Sequence, residues 1–175
     1  MLSDQMEAAL NAQINRELFS GYLYLSMAAY FEDLGLKGFA QWMRVQHREE
    51  ETHGLMMFGY LNEAGGRARL SAIDAPEETF ASPLAAFEAV LAHEQQVTAW
   101  IGELIDLAVS GRDHATANFL QWFVGEQVEE ESKAKELRDT LRLLGDSGPA
   151  LLMMDRELAA RVYLMPPEAA KWGVI

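Results

Sequence analysis

Two pairs of long helical patterns, each pair closed by a short glycine-marked turn, are held apart by one long irregular stretch. The first pattern opens at Ser3 or Asp4, either of which can cap it, with Glu7 placed to stabilise its first turn. It runs to about Leu34, where Gly35 and Gly38 in "DLGLKG" break it. The second runs from about Phe39 to Ala64 and stops at Gly65 and Gly66. A third starts after Ser82-Pro83, a serine cap with proline at the first helical position, and ends at Gly111. The fourth spans about Ala115 to Leu144. Short turns make each pair an antiparallel hairpin, whereas residues 67–83 form a link of about 17 residues, enough to run along a bundle. Two hairpins joined by one long crossover predict an all-α four-helix bundle in a single domain of 175 residues. A shorter fifth helix is expected over about 149–164, and an irregular tail over 165–175.

Composition narrows the function classes. Half the residues are hydrophobic and 23% are charged, which excludes a disordered chain, and the 5 prolines leave long helices intact. The absence of cysteine removes disulfides, thiolate metal sites and catalytic thiols. The opening "MLSDQMEAALNAQINRELF" has no basic segment followed by an apolar one, so it does not read as a signal peptide. The longest nearly apolar run, 54–61, is too short to span a bilayer, so no membrane partner is expected and a cytoplasmic location is the default. A net charge of −13 repels phosphate backbones, which argues against a nucleic-acid partner, and it draws cations towards enclosed acidic surface.

The phase of the polar residues against each apolar stripe carries the chemistry. In the first helix Leu10, Ile14, Gly21, Tyr24, Ala28 and Phe31 recur at three- and four-residue steps, and Glu17 falls in their register. Phe39, Met43, Met57 and Leu61 bracket Glu50 and His53 in the second. Leu84, Phe87, Leu91, Ile101 and Ile105 leave a gap filled by Glu94 in the third. Phe119, Phe123, Ala134, Leu137 and Leu141 bracket Gln127 and Glu130 in the fourth. One offset relates these positions: adding 77 carries Glu17 to Glu94, Glu50 to Gln127 and His53 to Glu130, and the 34–38 turn onto 111–115. The hairpins therefore form a weak internal repeat in phase and spacing, although side-chain identity is poorly kept elsewhere.

A carboxylate in an apolar core costs several kcal/mol unless it is neutralised or paired. No lysine or arginine occupies these inward stripes near mid-helix, so two divalent cations are expected to balance Glu17, Glu50, Glu94 and Glu130. An oxygen-rich set with one imidazole suits iron or manganese. Glu50 and His53, three residues apart, share a helical face and can reach one ion. A lone E-x-x-H is common on helix surfaces, and one buried glutamate is often a hydrogen-bonded core residue. Four in-phase positions at a constant offset are harder to explain that way. His47 and His114 are expected to be solvated, His93 to sit beside its stripe, and Glu51 and Glu131 to face outward. Met27, Met43, Met56 and Met57 read as core filling.

These residues resemble the bacterial non-haem ferritins over nearly the whole chain. The resemblance runs from "INRELFSGYLYLSMAAYFE" through "QHREEETHG", "LAHEQQVTAWI" and "FLQWFVGEQVEEE" to the short fifth helix. It implies a first iron site at Glu17, Glu50 and His53, and a second at Glu94 and Glu130 with Glu50 as the bridge. Gln127 matches a glutamine behind the ligands, and Tyr24 a tyrosine beside the centre. Glu49, Glu126, Glu129 and Glu130 match a third iron site. The implied function is ferroxidation of Fe(II) by O2 or H2O2 within a hollow homo-oligomer of 24 subunits, with ferric mineral stored inside. Bacterioferritins place a second E-x-x-H on the fourth helix, where this chain has Gln127 and Glu130, and Thr52 stands where their haem-ligating methionine would be. Iron as a transient substrate and no haem are therefore expected. The alternative, a rubrerythrin-like di-iron peroxidase, lacks the cysteines of its usual electron donor. Residues 115–121, "ATANFLQ", contain no acid where many ferritins line their threefold channels, which leaves small helix-bundle pores as another way in for iron.

Overall fold

The computed structural model describes residues 2–145 and 147–174. Among the described residues six helices follow in order: α1 (Asp4–Asp33), α2 (Lys37–Glu63), α3 (Pro83–Ser110), α4 (His114–Leu144), α5 (Gly148–Leu158) and α6 (Pro167–Lys171). They fall into two compact units, one running through Phe80 and resuming at Ser147, the other starting at Ala81. The hairpin α1–α2 is the frame of the first unit, and α3–α4 is the second. Among the described residues no helix is long and apolar enough to cross a membrane.

Helix starts follow the local chemistry. Ser3 Oγ accepts from Met6 N at 3.1 Å, Ser82 Oγ from Ala85 N at 3.1 Å, and Asp113 Oδ1 from Thr116 N at 3.1 Å. Each serves one of the amides that a first helical turn leaves unpaired. The N-cap of α2 is Leu36, which has no side chain able to do this. Its cap comes instead from α5: Asp155 Oδ1 accepts from Gly38 N at 2.7 Å and Phe39 N at 3.1 Å. Gly38 is therefore not the helix breaker that the sequence suggested. It lies inside α2, and a Cβ on it would stand 1.6 Å from the Asp155 carbonyl oxygen, so its bare backbone is the seat of α5.

Two helix ends close in the same way, with a left-handed glycine one residue past the cap. Gly35 (φ 74°) donates to Glu32 O and Leu36 N to Phe31 O; Gly65 (φ 84°) donates to Asn62 O and Gly66 N to Leu61 O. α3 ends on this pattern too, but its left-handed residue is Arg112 (φ 55°) and not Gly111, whose φ is −78°. Position 112 is the 77-residue counterpart of Gly35, so one half of the repeat has glycine where the other carries a Cβ against its carbonyl. Arg112→Gly should therefore stabilise the protein by about 1 kcal/mol, read as a higher denaturant midpoint with an unchanged slope.

The link 67–80 is extended and bound to the polar side of α1. Asn11 donates from Nδ2 to Arg67 O at 3.0 Å and accepts from Arg69 N at 2.5 Å. Asn15 donates to Ala72 O and Ser26 to Glu77 O, while Arg69 pairs with Glu7. Tyr30 meets the Phe80 ring edge-on at 5.3 Å, so the link follows α1 from its first turn almost to its last.

The chain after α4 departs from expectation. α5 ends at Leu158, short of residue 164, and the tail is not wholly irregular because α6 forms over Pro167–Lys171. Residues 159–166 leave helical geometry where their side chains and carbonyls find partners on α2. Gln41 Nε2 donates to Arg161 O at 3.1 Å, and the Arg161 guanidinium lies 4.5 Å over the Trp42 ring. Tertiary contact overrides the helix propensity of this alanine-rich segment.

Candidate metal centre

α1 and α2 approach closely at mid-length because glycines stand where they meet. A Cβ on Gly21 would come within 3.3 Å of His47 O and 3.6 Å of Glu50 Cβ. One on Gly54 would come within 3.5 Å of Glu17 Cβ. At this level the apolar packing gives way to Glu17, Glu50 and His53, all buried. One ligand atom from each lies within 4.8 Å of the other two. Metal–oxygen and metal–nitrogen bonds of about 2.0–2.2 Å space the ligands of one ion by roughly 3–4.4 Å, so the trio is close to a single coordination shell. His53 Nδ1 stands 3.6 Å from Glu50 Oε2.

Glu17 is the strained member. Its Oε1 accepts from Gln13 Nε2 at 2.7 Å, while its Oε2 is buried with no hydrogen-bond partner. Burial pushes its carboxyl up to about 8 and the Glu50 charge adds to this, with His53 and Gln13 pulling the other way. Both effects favour the neutral form of Glu17 in the metal-free site, so a cation binding there competes with a proton. A bound cation would also satisfy the orphaned oxygen. Gln13, in turn, accepts from Arg16 at 3.1 Å and so keeps its amide nitrogen towards Glu17. The sequence reading missed Gln13, although it lies one helical turn before Glu17.

In the second unit the other predicted residues are also buried: Glu94 on α3, with Gln127 and Glu130 on α4. Gln127 Nε2 donates to the Glu94 carbonyl at 3.2 Å and to Glu94 Oε2 at 3.3 Å, which orients that carboxylate. This suits the supporting part that the resemblance implies for Gln127. Thr98 Oγ1 stands 3.4 Å from the same amide and itself donates to Glu131 at 2.6 Å. Glu131 is accordingly half-buried, not outward as expected. Glu130 brings a larger correction. Lys133 Nζ lies 2.9 Å from Glu130 Oε1 and 3.7 Å from Glu129 Oε2, its head reaching inward along a half-exposed stem. The inward stripes therefore do have a basic neighbour. The signal was the three-residue spacing from Glu130 to Lys133, which puts both on one face.

Of the residues matched to a third iron site, Glu129 is exposed and Glu126 half-buried. Glu49 is held by Arg161 at 2.5 Å. That pair joins residues 112 apart in the chain, and no local spacing could have shown it.

Tyr24 is buried, edge-on to Trp42 at 6.5 Å. Met27, Met43, Met56 and Met57 are core residues, while His114 and Glu51 face solvent. His47 is not fully solvated: it is half-buried with Nδ1 2.9 Å from Gly21 O. His93 sits beside its stripe, and desolvation lowers it to about 4, so it is neutral at physiological pH.

Known proteins resemble this chain over most of its length. The ferritin-like domain family matches residues 7–144, a range that takes in both units. Bacterial non-heme ferritin of Staphylococcus saprophyticus is 41% identical over 163 residues, 93% of this chain and 98% of its own. Its counterpart in Bacteroides fragilis is 40% identical over 161 residues, 92% of this chain and 100% of its own. Among solved structures, an open-pore ferritin from the hyperthermophilic archaeon Archaeoglobus fulgidus shares 52% identity at a TM-score of 0.92, covering 93% of this chain and 99% of its own. The fold class is therefore the all-α ferritin-like bundle with a short C-terminal helix.

Proposed function

Because this chain belongs to the ferritin family, we propose that it stores iron and oxidises Fe(II) at a dinuclear centre inside each subunit. The observation that carries the reading is the buried trio Glu17, Glu50 and His53, with one ligand atom of each within 4.8 Å of the others. In this proposal the trio takes the first Fe(II), with Glu50 bridging to a second. Glu94 and Glu130 supply the second ion's carboxylates, on the strength of the 77-residue offset and the resemblance. Gln127 orients Glu94, and Tyr24 is the neighbouring phenol that the resemblance implies.

The chain's own groups account for loading. The first cation replaces the Glu17 proton, so binding releases acid. The Lys133 ammonium gives up Glu130 and returns when the ferric product departs. Two Fe(II) ions then lose one electron each. The pair reduces O2 with two protons to H2O2, or H2O2 with two protons to two waters. A site with one imidazole, and with a lysine competing for one carboxylate, suits iron as substrate better than as a permanent resident. A third iron at Glu49, Glu126, Glu129 and Glu130 must displace both Arg161 and Lys133.

We place this activity in the cytoplasm, in a homo-oligomeric cage of 24 subunits of 19.6 kDa each, about 470 kDa in all. The archaeal relative is described as an open-pore ferritin. A shell of that kind would admit iron without acids over 115–121. Aerobic addition of Fe(II) to metal-free protein tests the proposal: ferric absorbance should rise rapidly and hundreds of iron atoms per particle should stay with a species of that mass. A small particle that neither oxidises iron nor retains it refutes the reading.

A further inference from the structure

The turn of α2 that carries Glu50 and His53 is held on its other side by the segment following α5. Glu49 pairs with Arg161 at 2.5 Å, and the same guanidinium stacks over Trp42. Thr52 Oγ1 and the Tyr163 hydroxyl share a hydrogen bond of 2.6 Å, and Arg48 lies 5.2 Å over the Tyr163 ring. Positions 49 and 52 thus bind the strap, while 50 and 53, one residue on in each case, hold the candidate ligands. Both ends of the strap are docked on bare backbone. α5 sits on Gly38, and a Cβ on Gly59 would lie 2.1 Å from the Trp172 carbonyl oxygen.

We propose that Arg161 and Tyr163 are positioning residues, which fix the rotation of this α2 turn so that Glu50 and His53 face one ion. The inference rests on the reading of those two residues as ligands. The contacts at Glu49 and Thr52 fall on residues covalently next to a ligand, so a small twist of α2 at either position swings the neighbouring side chain off the ion. Loss of such outer partners typically costs 10–100-fold in metal affinity. The coupling is reciprocal, because a cation that prefers the aligned turn must stabilise the strap by the same factor.

The test uses the full-length, metal-free protein as purified, with Zn2+ alone as a redox-inert probe competed against a chelating dye. Tyr163→Phe removes only the hydroxyl, and Arg161→Lys removes the guanidinium from Glu49 and from the Trp42 ring at constant net charge while leaving Glu49 in place. Each is expected to weaken Zn2+ binding about tenfold without changing particle size. In the unaltered protein Zn2+ should slow hydrogen exchange at amides 159–163, and Glu50→Ala should abolish that protection. A merely structural strap does not respond to the metal. Unchanged Zn2+ affinity in both variants, or strap exchange indifferent to Zn2+, overturns the role of Arg161 and Tyr163. Zn2+ binding that Glu50→Ala leaves untouched overturns the ligand assignment itself, and the strap's role with it.

Discussion

Glu17→Gln should stabilise the metal-free protein by about 3 kcal/mol at pH 7 and flatten its stability between pH 5 and 8. In the folded chain burial and the Glu50 charge raise the Glu17 carboxyl from 4.5 to about 8. A group whose folded value is raised contributes its stability below the unfolded value and loses it as pH rises through the folded one. Each unit in that window costs about 1.4 kcal/mol. Glutamine has nearly the same shape and does not ionise. Its oxygen can still accept from Gln13, and its amide nitrogen can donate to the Glu50 carboxylate, the group a protonated Glu17 faces. Denaturant unfolding at pH 5, 7 and 8 measures both quantities. The same substitution should cost metal binding, and the acid released when the unaltered protein is loaded at pH 7 should disappear with it. Equal stability at all three pH values in both proteins would mean that Glu17 is not the buried, protonated acid described above.

Glu50→Ala should slow the initial oxidation of Fe(II) by about 100-fold or more while leaving particle size unchanged. Glu50 is the one carboxylate assigned to both ions, so its loss removes a ligand from each. Removing an outer partner already costs 10–100-fold in affinity, and a shared ligand should exceed that. Assembly should survive, because the residue is buried inside the subunit and its removal relieves a repulsive neighbour of Glu17. Stopped-flow ferric absorbance at about two Fe(II) per subunit gives the rate, and size-exclusion gives the particle. A fast phase of ordinary amplitude and rate in this variant refutes the bridging assignment. His53→Ala, which strips only the first ion, should be the milder of the two.

Much of the site was legible because burial in a long helix is periodic. Glu17, Glu50, His53, Glu94, Gln127 and Glu130 share a register with residues such as Leu10, Phe39, Phe87 and Phe123, and all of these are buried. The third-helix stripe was read less well. Leu84 and Ile105 are only half-buried, while Val97, Leu104 and Ala108 are core, since an α-helix drifts off any fixed repeat over many turns. Gly111 caps the end of α3 as expected, but the left-handed position of that turn falls one residue on, at Arg112, because residue type is only a prior for φ.

The sequence by itself determined the four long helices, the two hairpins, the crossover and the burial of the candidate site residues at mid-helix. These follow from caps, glycine turns and a 3.6-residue period, all properties of neighbours along the chain. Only the tertiary structure decided who neutralises and who steers the buried acids: Gln13 and the orphaned Glu17 oxygen, Lys133 against Glu130, Arg161 against Glu49, and Asp155 as the cap of α2. Gln13 and Lys133 act by side-chain reach along their own helices, whereas Arg161 and Asp155 arrive from segments more than a hundred residues away. Helical phase says which face a residue occupies, but not which atom of another segment arrives there.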